Sequence, residues 1–242
     1  MSDGSQRGKH TGKLNASAII LSGGTARRMG GREKGLLPME GATFIEAKIS
    51  VLADAGVSEI VIVTNRPELY EAFTGTGSSG AGAPAGGSTT PVRTVTDDYP
   101  NAGVLAALYT GLKACKHQAV FASTADTPFL RPKLVRLLLE MLGGGKNCAG
   151  RGSSGSADAV VPRIGREIEP LCAAYARRCI DLIEPCLERG EKKIRSFYPS
   201  AKVLYAEEEE INRADPGGRS CININTWEEY YIYFTKGGMR KM

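Results

Sequence analysis

The chain has 242 residues, 42% hydrophobic and 24% charged, a globular composition long enough to bury one large α/β core or two small ones. Its formal charge is +5, but the 31 basic and 26 acidic residues are dispersed, and no lysine/arginine tract exceeds two residues. With one Trp, six Phe and nine Tyr, that pattern argues against a nucleic-acid surface and for a small anionic ligand.

The first seventeen residues, MSDGSQRGKHTGKLNAS, are polar and lack the apolar segment of a signal peptide. No later apolar run approaches the ~18 residues of a membrane span. The expectation is a cytoplasmic protein, bound to neither membrane nor nucleic acid, with a disordered tail over 1–15 and a single domain over 16–236.

Short Val- and Ile-rich runs at 18–21, 60–63, 92–95, 119–122, 159–161 and 203–205 suit strands buried on both faces of a parallel sheet. Helical spacing lies between them: Phe44, Ile45, Ile49, Leu52 and Ala53, then Leu105, Leu108 and Leu112, then Leu134, Leu137, Leu138 and Met141. The alternation predicts an α/β fold, a three-layer α/β/α doubly wound and mostly parallel sheet, with ligands beyond the carboxyl ends of its strands. Residues 74–91 and 143–156 are Gly/Ser/Ala-rich and read as flexible insertions within that domain. The six cysteines form no C-x-x-C pair, and only two histidines accompany them, so they read as reduced thiols, mostly core. Cys172, Cys179 and Cys186 recur every seven residues, but Pro185 is expected to interrupt any single helix there.

The first run leads into SGGTARRMGGREKG, residues 22–35, with five glycines, three arginines and one lysine in fourteen positions. A glycine-rich turn after a buried strand brings backbone N–H groups close to an anion, which makes a phosphate cradle. Neither G-x-x-x-x-G-K-[ST] nor G-x-G-x-x-G is present. What remains is a loop with Arg27, Arg28, Arg32 and Lys34 free to share a triphosphate, guanidinium forks and a point charge together.

Leu21 to Gly35, LSGGTARRMGGREKG, resembles the N-terminal signature of the molybdenum cofactor guanylyltransferases, a branch of the nucleotidyltransferase superfamily: L-[AS]-G-G-x-[SA]-x-R-M-G-G-x-[DE]-K-G. The resemblance implies a Rossmann-like nucleotidyltransferase fold, nucleotide binding by Leu21, Ser22, Gly23 and Gly24, and triphosphate binding with catalysis at Arg28 and Lys34. Gly23-Gly24 matches the guanine branch, the cytosine branch carrying Ala-Gly there. Cytidylyl transfer to the same cofactor, another small-molecule nucleotidyl transfer and a non-catalytic nucleotide sensor stay open as alternatives.

Later segments resemble the family in the same order. TDDYPNAGVLAA, residues 96–107, stands where an acid precedes G-P-L-A-G, which implies nucleotide contacts from Gly103 and from Asp97 or Asp98, not distinguishable here. STADTPFL, 123–130, resembles P-C-D-x-P-x-L, whose Asp holds magnesium. The residues agree: Asp126 ends a buried run, Pro128 turns the chain, and such a carboxylate suits a hard cation. As a helix N-cap it lies several residues too early.

EPLCAAY, 169–175, and GEKKIRSF, 190–197, resemble the half facing molybdopterin, which places Lys192, Lys193 and Arg195 near its phosphate; a solvated helix face explains those cations as well. CININTWEE, 221–229, resembles F-x-N-[IV]-N-T-P-E-[DE]. Asn223 and Asn225, two apart on an extended segment, point one way toward that substrate, and Thr226 suits a helix N-cap. The implied reaction is GMP transfer from GTP to molybdenum-molybdopterin with Mg2+ as cofactor. The implied protein partners are those that deliver the cofactor or receive it as molybdoenzymes.

Overall fold

The computed structural model describes residues 12–23, 32–75, 90–99, 102–144 and 156–234. Its first half runs β1 (Ala16–Leu21), a 3-10 turn at Lys34–Leu36, a hairpin of β2 (Pro38–Met39) and β3 (Ala42–Thr43), α1 (Phe44–Asp54), β4 (Glu59–Val63), β5 (Val92–Val95), α2 (Val104–Ala114) and β6 (Ala119–Thr124). The second half adds α3 (Pro132–Leu142), β7 (Ala159–Ile164), β8 (Glu167–Ile168), β9 (Cys172–Ala176), α4 (Cys179–Glu188), β10 (Val203–Glu207), α5 (Glu208–Ala214) and α6 (Trp227–Phe234).

All six residues of β1 are buried because parallel strands cover both of its edges and helices both of its faces. Among the described residues the sheet has eight strands in the order β10-β7-β9-β6-β1-β4-β5, with β8 paired to β7. Strand alternation divides the core into two layers. Ala18 and Ile20 face α1 and α3 with Ile49 and Leu138. Ile19 and Leu21 face α2 and α4 with Leu108 and Ile183. Gly111 lets α2 lie close on β1, since a Cβ there would stand 2.8 Å from Ile19 Cδ1.

Local chemistry fixes the ends of the elements. Thr43 and Glu46 close a capping box on α1. Pro132 starts α3 where its missing N–H costs nothing. A third apolar cluster of Leu37, Phe44 and Ile224 gathers Phe129, Trp227, Tyr230 and Phe234, and so anchors α6 over the start of α1. Glu229 and Thr226 cap α6 reciprocally: Glu229 N–H donates to Thr226 Oγ1 at 3.2 Å, and Thr226 N–H to Glu229 Oε2 at 3.1 Å.

The six predicted strands are present. β9 was not foreseen; it lies antiparallel between β6 and β7. Pro185 does not separate Cys179 from Cys186: both lie in α4, where Pro185 is inside the helix. Cys172 is on β9. Residues 1–11, most of 74–91 and most of 143–156 lie outside the described residues, so the predicted tail and the interiors of both insertions are not described. At the borders of 74–91, Gly75 and Val92 exchange backbone hydrogen bonds of 2.9 and 3.2 Å. Among the described residues no helix is long and apolar enough to cross a membrane.

Candidate active site

The strand ladders continue past their carboxyl ends. Ser22 N–H donates to Val63 O at 2.8 Å, Thr64 N–H to Val95 O at 3.0 Å, and Ala125 N–H to Leu21 O at 3.0 Å. Above them, against the start of α2, lies a cavity of about 430 Å³. Leu21, Val63, Val104 and Ala107 supply its apolar wall, Thr64, Asn65 and Asp97 a polar side, and Glu33, Lys34, Thr124 and Asp126 a charged end. This is where an open α/β sheet binds ligands.

At the charged end, the 3-10 turn aims Lys34 at the end of β6. Its Nζ donates to Asp126 Oδ2 at 2.7 Å and to Asn225 Oδ1 at 2.7 Å. Both charged side chains are 18% exposed, so water screens the pair only in part. Ile224 N–H donates to Asp126 O at 2.9 Å, which ties the segment carrying Asn225 to the Asp126 turn. Two hard oxygens therefore converge on one positive charge. Among the described residues no three His, Cys, Asp or Glu side chains gather as a closed metal cage. The donor set fits a hard divalent cation that keeps most of its sites for water and phosphate.

Glu33 lines the cavity beside Lys34. The Ser22 and Tyr70 hydroxyls lie 2.5 Å apart and within 3.1 and 3.2 Å of Glu33 Oε1, and Arg66 Nη1 stands 3.7 Å from Oε2. Burial, opposed by the Ser22 hydrogen bond and reinforced by the Glu33 charge, pushes the Tyr70 hydroxyl well above its ordinary pKa. It therefore remains a neutral donor.

The geometry separates the two neighbouring acids. Asp97 lines the cavity, its Oδ1 accepting from Thr110 Oγ1 at 3.2 Å and from Tyr99 N–H at 3.0 Å. Asp98 is 54% exposed, with its Oδ2 3.9 Å from Lys113 Nζ. Gly103 enters α2 at φ +90°, and a Cβ there would meet Lys192 Cβ at 2.8 Å. Leu105 N–H also donates to Lys192 O at 3.2 Å, so Lys192 stands beside Gly103, and Lys192, Lys193 and Arg195 are exposed. Asn223 is exposed, two residues before Asn225. Leu21, Ser22, Gly23, Lys34, Asp97, Gly103 and Asp126 share the cavity. Gly24 and Arg28 lie outside the described residues. Thr64, Asn65 and Thr124 were not singled out from sequence; the carboxyl-end rule, applied to the run 60–63 as it was to 18–21, points to the first two.

The fold has counterparts among known proteins. The MobA-like NTP transferase domain matches residues 18–203. A molybdenum cofactor guanylyltransferase of Desulfosudis oleivorans is 30% identical over 213 residues, 88% of this chain and 91% of its own length. A probable molybdenum cofactor guanylyltransferase of Methanosarcina mazei is 30% identical over 215 residues, 88% and 87% of the two chains. The crystal structure of molybdopterin-guanine dinucleotide biosynthesis protein A from Archaeoglobus fulgidus superposes with a TM-score of 0.64 at 25% identity, covering 88% of this chain and 94% of that one.

Proposed function

The chain belongs to the MobA-like NTP transferase family, and on that premise we propose that it transfers GMP from GTP to the phosphate of molybdenum-molybdopterin, releasing pyrophosphate and forming the guanine dinucleotide cofactor. The observation that carries this reading is the convergence of Lys34, Asp126 and Asn225, the first two lining a cavity that Leu21, Val63, Val104 and Ala107 also line. The apolar wall and the Asn65 and Asp97 polar groups suit a purine nucleoside. The charged end suits its triphosphate.

An oxygen of the acceptor phosphate attacks the α-phosphorus of GTP. The bond from that phosphorus to the oxygen bridging it to the β-phosphate breaks, and the electron pair leaves with pyrophosphate. The attacking oxygen is already anionic, so the chain needs neither a nucleophilic side chain nor a general base; its work is orientation and charge neutralisation. Lys34 neutralises charge on the departing phosphates, and in this reading Arg28 joins it. A divalent cation, magnesium here, fits Asp126 and the Asn225 amide oxygen and would neutralise phosphate oxygens. Lys192, Lys193 and Arg195 attract the acceptor's phosphate from the cavity's edge. The five described cysteines are unpaired, which accords with the reducing cytoplasm in which such a reaction would run.

The test is metal-dependent pyrophosphate release with molybdenum cofactor as acceptor, comparing GTP, CTP, ATP and UTP. Release with GTP alone, lowered by roughly two orders of magnitude or more in Lys34→Ala and Asp126→Ala, is the expected result. Release with CTP alone moves the base assignment to cytidylyl transfer. Near-normal rates in either variant overturn the site.

A further inference from the structure

The buried face of α1 contains a charge. Phe44, Ile45, Ile49 and Leu52 are apolar, as a helix packed on a sheet requires, but Lys48 shares that face and is 2% exposed. An ammonium is costly to bury, and Met would fill the same space without that cost. Lys48 Nζ donates to the Thr127 carbonyl at 2.5 Å and also to Thr127 Oγ1. That hydroxyl in turn donates to Thr124 O at 3.0 Å. Thr127 is itself 2% exposed and follows Asp126 directly.

The Asp126 turn therefore has three tethers. Ala125 N–H holds Leu21 O, Asp126 O accepts from Ile224 N–H, and Lys48 grips Thr127 from beneath. We propose that Lys48 is a positioning residue that fixes the 124–127 turn, so that the Asp126 carboxylate and, through Ile224, the Asn225 amide stay converged on the cation position. The proposal rests on the nucleotidyl-transfer reading, in which Asp126 holds the metal. Burial pushes the Lys48 amine down to about 8, against the pull of the nearby Cys172, Asp126 and Cys221 groups.

Two effects of removing this charge have opposite signs, which makes the role measurable. Losing a cation near Asp126 would by itself tighten a divalent cation there. Losing the tether weakens it.

The experiment measures Mn2+ binding in the presence of GTP by the electron paramagnetic resonance of free Mn2+, with Mg2+ titrations of pyrophosphate release alongside. In Lys48→Met the Mn2+ dissociation constant and the half-saturating Mg2+ rise about tenfold or more, while kcat at saturating metal changes by less than about threefold. Thr127→Val, which removes the hydroxyl acceptor, shifts both in the same direction; Thr127→Ser, which keeps it, restores them. A purely structural role would lower the melting temperature and leave metal affinity alone.

Unchanged or tighter Mn2+ binding in a folded Lys48→Met overturns the proposal. If that variant does not fold, equal affinity in Thr127→Val and Thr127→Ser overturns it. Wild-type protein that binds Mn2+ no better than Asp126→Ala overturns the metal assignment and the role of Lys48 together.

Discussion

Lys34 occupies the position that a metal would contest. Its ammonium sits 2.7 Å from both Asp126 Oδ2 and Asn225 Oδ1, so a cation entering without nucleotide must displace a charge already paired. On the proposed reading, GTP would offer the ammonium phosphate oxygens in exchange. Lys34→Met should therefore bind Mn2+ more tightly than wild type when GTP is absent, severalfold by direct titration, although its turnover collapses. Equal affinity would show that the ammonium does not hold Asp126 in the free protein. The two acids of 97–98 give a paired prediction. Asp97→Asn removes a carboxylate that faces the cavity and should weaken GTP binding about tenfold by calorimetry. Asp98→Asn breaks only an exposed pair with Lys113, of the kind worth roughly 0–1 kcal/mol, and should leave GTP affinity within about twofold.

At the scale of elements, the start of α2 is a joint. Gly103 has φ +90°, Leu105 N–H donates to Lys192 O at 3.2 Å, and the Lys192 Cβ fills the place a side chain on Gly103 would take. Gly103→Ala should cost on the order of 1–3 kcal/mol in urea unfolding and should also weaken GTP binding, because α2 must shift from the 192–195 segment to relieve the contact. Elements with strong patterns were legible in sequence. β1, β4 and β6 each contain an apolar run of four residues, 18–21, 60–63 and 119–122, and α3 begins with a proline and repeats leucine at helical spacing. β9 reads CAAYA, whose small residues have little strand preference; it is a strand because β6 and β7 hold both of its edges, a long-range fact. Pro185 was misleading for a related reason: the apolar face of α4, with Cys179, Ile183 and Cys186 buried, outweighs one lost hydrogen bond. In the site, Lys34 and Asp126 carried a local signature, and the sequence narrowed the cavity's acid only to Asp97 or Asp98. Lys48 carried none, since a lone lysine among Ile and Leu reads as surface until the helix face is known to be buried.

At the scale of the whole molecule, two clusters of polar groups lie at opposite ends of β1 and β4. The carboxyl ends hold the candidate site; the amino ends are pinned by Glu59, 4% exposed at the start of β4. Ser17 Oγ donates to Glu59 Oε1 at 2.6 Å and Lys116 N–H at 2.5 Å, while Arg93 Nη2 stands 4.0 Å and His117 Nδ1 3.6 Å away, so one carboxylate joins β1, β4, β5 and the approach to β6. Burial raises the Glu59 pKa, but the hydrogen bonds from Ser17 and Lys116 and the charges of Arg93 and His117 outweigh it and hold the group below its ordinary value. A carboxyl depressed in the folded state stabilises fully above its unfolded pKa and loses that contribution as pH falls through the folded one. Glu59→Gln should therefore lower the unfolding free energy by about 1–3 kcal/mol at pH 7, with the gap from wild type closing as pH drops below the ordinary carboxylate range. GTP affinity at pH 7 should not change, because the length of β4, roughly 16 Å at 3.3 Å per residue, separates Glu59 from the cavity. A gap that persists undiminished into acid would assign the loss to packing around residue 59, and a parallel loss of GTP affinity would show that the two ends of the sheet are not independent.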